Sequence, residues 1–289
     1  MTATQDQTPA AAAPPREPAG PPRRGPGARA LAWLGGTVGV LLLAWGGFQL
    51  ADWASATSTS ATRSYAAAPV VELVADGHVT VRGGADETGV SVESTARSGF
   101  SGPTYSAEAA GDRLVVSHEC GWWPSSGVCR GSLDVVVPER TEVVVHSSSG
   151  AVRASGLVGR TRLSTSDGRV EVSDVVGDTT VETSNGRVQA GDVDGNLDAR
   201  SSNGAIDVSG VTGDAVLETS NGRVDVDDVA GDVDAESSNG DITVRGAGHP
   251  VVLTIETSNG ERTVEGATDP SAPVRVRIST SNGDVTYLD

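Results

Sequence analysis

Four histidines, two cysteines, an adjacent tryptophan pair and a periodic set of carboxylates are the side chains that could do chemistry here. His78, His118, His146 and His249 fall in separate segments with no ligand spacing between them. Neither a metal centre nor a histidine-based triad is expected from such a scatter. Serine is abundant, but no Gly-x-Ser-x-Gly elbow occurs. The serines sit at repeat corners, where hydroxyls bond turn backbone. No catalytic residue is expected, and the chain reads as a non-enzyme.

The cysteines bracket a short loop, Cys120-Gly-Trp-Trp-Pro-Ser-Ser-Gly-Val-Cys129. Two cysteines cannot complete a zinc site, and the spacing is not that of a redox Cys-x-x-Cys. On an exported chain they predict one structural disulfide, contributing about 2–3 kcal/mol if unstrained. Within the loop, Trp122, Trp123 and Pro124 form a candidate binding surface. Two adjacent Trp suit carbohydrate, a lipid headgroup or a protein partner; the other reading has them cover the open end of the core.

Asp178, Asp214 and Asp232 recur at equivalent positions of a repeat. Stacked carboxylates about 4.8 Å apart repel one another, and a divalent cation would relieve that repulsion. The sequence lacks the Gly-Gly-x-Gly-x-Asp nonapeptide of calcium-binding β-rolls. Arg169, Arg187, Arg200 and Arg223 offer neutralisation from other columns. A solvated acidic face with no cofactor is the expectation, and Ca2+ along this column is the alternative.

Overall charge narrows the partners. The net charge is −17, and four of the 21 Arg and two of the 38 acids fall in residues 1–29. The remainder therefore sets 17 Arg against 36 acids. Such a surface repels phosphate backbones, so nucleic acid is excluded as a partner. Aromatics are only 3% of residues while Gly numbers 37. Val, Ala, Thr and Ser must build the core, which suits narrow repetitive β structure.

The repeat supplies that structure. Gly150, Gly168, Gly186, Gly204, Gly222 and Gly240 are spaced by 18, and Gly260 and Gly283 continue the series after insertions. Asn precedes most of them, Ser precedes that, and Thr or Ser comes one step earlier, giving [ST]-S-N-G. Asn-Gly is expected to supply a positive-φ corner. A second Gly recurs nine residues on, at 159, 177, 195, 213 and 231. Two and four residues past each corner lie pairs such as Val170/Val172 and Ile206/Val208. Thirteen past lie Leu163, Val181, Ala199, Leu217, Ala235 and Leu253. This alternation predicts strands with one buried face. A stack of hairpins would fit, but identical corners favour a solenoid with one turn per repeat, in which equivalent residues stack as ladders. The expected fold is all-β: a single-stranded β-helix or β-solenoid with 18-residue rungs over 148–289. An irregular β cap carrying the disulfide loop precedes it over 67–147.

The N-terminal part reads differently. Residues 1–29 are Pro- and Ala-rich and are expected to be disordered. Ala30–Ala51 is apolar apart from Thr37 and Gln49, and its 22 residues make about 33 Å of helix, enough for one transmembrane span. Trp33 and Trp53 fall where interfacial anchors belong. Arg23, Arg24 and Arg29 put the N-terminus in the cytoplasm and all beyond residue 52 outside. A cleaved signal peptide is the rival, since Ala54-Ser55-Ala56 has the small-x-small form and Arg23-Arg24 resembles a twin-arginine signal. Gly35 and Gly39 form a Gly-x-x-x-Gly pair compatible with homo-oligomerisation. Residues 52–66 read as a flexible stalk.

The stretch LDVVVPERTEVVVHSSSGAVRASGLVG (133–159), followed by reiterated TSNGRVxVxDVxGD, resembles the bacterial DUF4097/DUF2807 adhesin-like families over roughly residues 67–289. The resemblance implies a β-helical domain on exported or membrane-tethered proteins, without catalysis. The combined expectation is a membrane-anchored, extracytoplasmic interaction or structural protein of the bacterial cell envelope, held by Ala30–Ala51 and facing an envelope protein or glycan. The alternative is an envelope-stress sensor that binds a ligand through its solenoid, although residues 1–29 carry no cytoplasmic partner motif.

Overall fold

The computed structural model describes residues 26–121, 128–246 and 248–288. The expected disordered tail, residues 1–29, lies outside them up to residue 25. The chain divides into two units at Leu50/Ala51. In the first, the long helix α1 (Pro26–Ala54) begins. Its Leu41, Leu42, Leu43 and Leu50 side chains are exposed. Among the described residues no helix is long and apolar enough to cross a membrane. Residues 30–32 and 34 of the expected span lie outside those whose side chains are described.

The second unit is a parallel β-solenoid of two sheets, 12-stranded and 11-stranded. Each rung gives one strand to each sheet, and the corner glycine lies between the two. In the rung cornered by Gly168, Thr161–Thr165 runs in one sheet and Val170–Val176 in the other. The next rung repeats this with Thr179–Thr183 and Val188–Asp194. Register is offset by 18 throughout the regular stretch: Leu163 pairs with Val181, Val170 with Val188, and Ile206 with Val224, all parallel. A hairpin stack would make these pairs antiparallel. Inward positions are filled by Val, Leu, Ile and Ala that are almost wholly buried, in one continuous core. Because each rung is thin, its apolar side chains bury mostly against the rungs above and below, and stability is a nearest-neighbour property.

The terminal rungs depart from chain order at both ends. Val70–Ala75 and Val79–Gly84 form a rung cornered by Gly77, inserted between Arg113–Glu119/Arg130–Pro138 and Glu142–Ser147/Val152–Val158. At the other end, Arg275–Asn282 and Val285–Leu288 insert between Val233–Ser237/Ile242–Arg245 and Val252–Asn259/Arg262–Val264. The corner column therefore reads Gly240, Gly283, Gly260, the reverse of the sequence order for the last two. Leu253, the expected thirteenth-position residue of its rung, is only partly buried. Its place on Ala235 is taken by Ile278. The described residues make ten rungs, and nine steps at about 4.8 Å give an axis of about 43 Å.

Two further expectations are corrected. The flexible stalk is a strand from residue 57 onward: Thr57–Ala66 pairs antiparallel with Gly89–Ser98 along ten residues. Its side chains are almost all exposed, so backbone hydrogen bonding holds it, and a Ser/Thr-rich composition does not betray that. The region 67–147, expected to be irregular, contains two rungs in the parallel ladder. Among the described residues there, only Gly89–Ser98 and Thr104–Ala110 run antiparallel to their neighbours.

Candidate functional site

The repeated polar residues are consumed by the architecture. The first residue of most [ST]-S-N-G corners is a buried hydroxyl that bridges rungs, Thr257 of the displaced last rung being only partly buried. Thr183 Oγ1 donates to Gly168 O at 3.3 Å and accepts from Gly186 N at 3.1 Å. Ser201 and Thr219 repeat the bridge to Gly186 O and Gly204 O. The Asn side chains form a second ladder, in which Asn203, Asn221 and Asn239 each donate to the Oδ1 of the Asn one rung before, at 2.8–3.1 Å. It continues from Asn282 to Asn239 and from Asn259 to Asn282, following the inserted rung order.

The corner glycines are required for a different reason from the one the sequence suggests. Positive φ occurs at Gly159, Gly177 and Gly195 of the second column, but not at Gly168, Gly186 or Gly204. At Gly186 a Cβ would lie 1.7 Å from Gly168 O, and at Gly204 it would lie 1.7 Å from Gly186 O. Close approach of stacked corners, rather than turn conformation, excludes a side chain. A further column adopts the left-handed region six residues past the corner: Gly156, Asp174, Asp192, Gly210 and Asp228. Asp tolerates this conformation better than most residues, which explains the alternation. The sequence signal was the recurrent Gly/Asp at this position.

The acidic column is likewise structural in part. Asn196 Nδ2 donates to Asp178 Oδ1 at 3.1 Å, and Asn196 Oδ1 accepts from Asp214 N at 2.9 Å. Asp214 Oδ1 accepts from Asp232 N, and Asp232 Oδ1 from Arg275 N, both at 2.8 Å. Each carboxylate thus caps the next rung, and Arg160 and Arg275 lie 3.9 and 3.8 Å from the two ends. Among the described residues no group of three or more His, Cys, Asp or Glu is placed to hold a metal ion. Arg169, Arg187 and Arg223 pair with Glu171, Asp207 and Asp225, and Arg200 with Asp198 and Glu218.

Cys120 and Cys129 are joined by a disulfide with Cα atoms 6.0 Å apart. Cys120 and Cys129 follow and precede the strands Arg113–Glu119 and Arg130–Pro138 of one rung, and the Cys120 N–H donates to the Asp76 carboxylate. Trp122, Trp123 and Pro124 lie outside the described residues. Across this end of the solenoid a polar cluster bridges the two sheets. Tyr65 and Tyr105 hydroxyls are 2.7 Å apart, and the Arg63 guanidinium stands 4.0 Å over the Tyr105 ring. Arg63 also donates to the buried Ser94 hydroxyl at 3.1 Å. Tyr105 meets His118 edge-on. Burial, then the hydrogen bond to Tyr65, raises the Tyr105 hydroxyl above its ordinary value. His118 is buried with Nδ1 3.2 Å from Ser132 O, and burial lowers its basicity. His78 accepts from Ala151 N at 3.0 Å, while His146 and His249 are exposed. The four histidines are not brought together.

The outward faces are flat, charged sheets. One carries a shallow groove of about 420 Å³ beside Gln189, Gly191, Asp207, Asp225, Asp227 and Arg245. It forms because Ser173, Gly191 and Ser209 are small where neighbouring columns are long. Neither composition nor the corner repeat pointed to it.

With this geometry in hand, the comparisons give a family. The Toastrack family (DUF4097) matches residues 113–288, more than half of the chain, and the protein belongs to it. No curated protein sequence matches the chain. Among solved structures, a candidate lipid-binding protein from Parabacteroides distasonis is similar at 15% identity, covering 80% of this chain and 97% of its own, with a TM-score of 0.48. A candidate adhesin from the same organism (12% identity, 80% and 97% covered, TM-score 0.43) and one from Bacteroides fragilis (12%, 80% and 97%, TM-score 0.42) are also similar.

Proposed function

We propose that this chain is a non-enzymatic, adhesin-like structural protein of the cell envelope, anchored through Ala30–Ala51 with its solenoid outside the cytoplasm. The observation that carries the reading is the use of the repeated polar groups. Thr183, Ser201, Thr219 and the Asn ladder are all spent on rung-to-rung hydrogen bonds. What the solenoid offers to other molecules is therefore two broad charged faces on a rigid rod, which suits interaction rather than turnover. Membership of the Toastrack family agrees with a surface-domain role. The disulfide favours an oxidising compartment, and exposed Leu41–Leu43 favour burial of α1 in lipid.

The test is surface proteolysis and envelope capture on intact cells making the full chain. The reading predicts that a C-terminal tag is removed by external protease, that an N-terminal tag is protected, and that cross-linking captures an envelope protein or glycan. A C-terminal tag protected from protease until lysis would overturn the topology. A chain that is exposed yet captures neither class of partner would overturn the interaction role.

A further inference from the structure

Most arginines of the solenoid are matched with acids. Arg153, Arg162, Arg169, Arg200 and Arg223 each lie within 3.4 Å of a carboxylate. Arg63, Arg82, Arg97, Arg130, Arg245 and Arg262 have no such partner among the described residues, and of these Arg97 and Arg130 alone are paired with each other. They are directly opposite one another on the antiparallel strands Gly89–Ser98 and Arg130–Pro138, so both project from the same face. Both are exposed, and among the described residues neither has an acidic partner. Like charges facing each other across a strand pair are destabilising. In a chain with 38 acids to 21 Arg, such an arrangement calls for an anion from outside.

The surroundings say which anion. Arg97 and Arg130 line a small cleft with Trp53 and Val128. Trp53 is 67% exposed and stands in the last turn of α1, two residues beyond the apolar stretch ending at Ala51, or about 3 Å along a helix. Phe100 is 60% exposed, and its backbone N–H donates to Asp52 Oδ1 at 2.6 Å. The loop presenting Phe100 is therefore fastened to the same helical turn. An indole and two guanidiniums lining one cleft at the end of an apolar helix, with an exposed phenyl ring on a loop tied to the same turn, are the groups that partition to a lipid interface: rings at headgroup depth, Arg on phosphate.

We infer that Arg97, Arg130, Trp53 and Phe100 form a foot by which the solenoid rests on the bilayer, the paired guanidiniums clamping headgroup phosphates of anionic lipid. The inference rests on the membrane-anchor reading and adds that the folded domain itself contacts lipid.

The test uses the full chain in lipid nanodiscs, with an environment-sensitive fluorophore on Phe100→Cys or, as a distal control, on Val264→Cys. The sequence has only two cysteines, and these are disulfide-bonded, so each variant carries one free thiol. The expected result is quenching at position 100 by brominated lipid, at least twofold greater than at 264 and increased by phosphatidylglycerol. Arg97→Gln with Arg130→Gln should abolish the phosphatidylglycerol dependence while leaving the melting temperature unchanged or raised, because a repulsion is relieved. A lowered melting temperature with the lipid dependence intact would assign the arginines a structural role and overturn the clamp. Equal quenching at 100 and 264 in chains that co-purify with the discs would overturn the foot alone. Chains recovered free of lipid would overturn the anchor and the foot together.

Discussion

Replacing Gly204 by Ala separates two explanations of the corner glycines. At Gly204 φ is not positive, so the backbone accepts Ala without conformational strain. By chain entropy alone the substitution should stabilise by about 0.4–1 kcal/mol. Sterics oppose this. The new Cβ would fall 1.7 Å from Gly186 O, against the 3.0 Å below which such contacts do not occur, so the corner must move by about 1.3 Å. A shift of that size breaks the local ladder: Ser201 Oγ to Gly186 O at 3.3 Å, Gly204 N to Ser201 Oγ at 2.8 Å, and Asn203 Nδ2 to Asn185 Oδ1 at 2.8 Å. At about 1 kcal/mol net each, roughly 3 kcal/mol is lost, leaving a net destabilisation of about 2–3 kcal/mol after the entropic gain. Gly111→Ala is the comparator: it has φ +66 and open space around it, so it should cost only about 1 kcal/mol. Denaturant midpoints of the two variants read the difference. A Gly204→Ala protein as stable as the parent, or more so, would refute the stacked-corner argument.

Val208→Asp puts a charge into a site 3% exposed, with an expected cost of several kcal/mol. Asp207→Asn loses only a surface ion pair with Arg187 at 3.5 Å and should change the denaturant midpoint little. His118 gives a pH dependence: its basicity is lowered by burial, so below the ordinary value of 6.5 the unfolded chain takes up a proton that the folded cap resists. Thermal stability should therefore fall between pH 7.5 and 5 more steeply in the parent than in His118→Asn, and equal slopes would remove His118 from the account. Deleting residues 275–289 removes the rung between those of Gly240 and Gly260. Limited proteolysis should then cut near Arg262 faster than in the intact chain, and an unchanged rate would remove the inserted rung from the account.

The regular rungs were legible because one 18-residue clock governs Gly, Asn and the inward Val together. Inward assignments at Val170, Val172, Ile206 and Val208 agree with their burial. What escaped the sequence is long-range. The insertion of Val285–Leu288 beside Ile242–Arg245 places Gly283 on Gly240, yet Gly260 carries the same Ser-Asn-Gly motif and local sequence cannot rank the two. The strand Thr57–Ala66 buries almost nothing, so hydrophobic alternation has no signal there. The roles of Gly186 and Gly204 depend on a carbonyl 18 residues away, whereas Asn-Gly as a dipeptide speaks only of turns. The Arg97–Arg130 opposition was invisible for the same reason, since 33 residues separate partners that only the sheet register unites.

Rung order is the claim on which the rest depends, and electron–electron spin distances test it directly. Arg153, Asp225 and Thr243 belong to one outward column, with Thr286 and then Thr263 beyond. Labels paired with position 153 should give Cα separations near 19, 24, 29 and 34 Å for positions 225, 243, 286 and 263, a step of about 4.8 Å per rung. The account predicts that 286 lies nearer to 153 than 263 does. The reverse order, or separations that do not grow by one rung at each step, would contradict it.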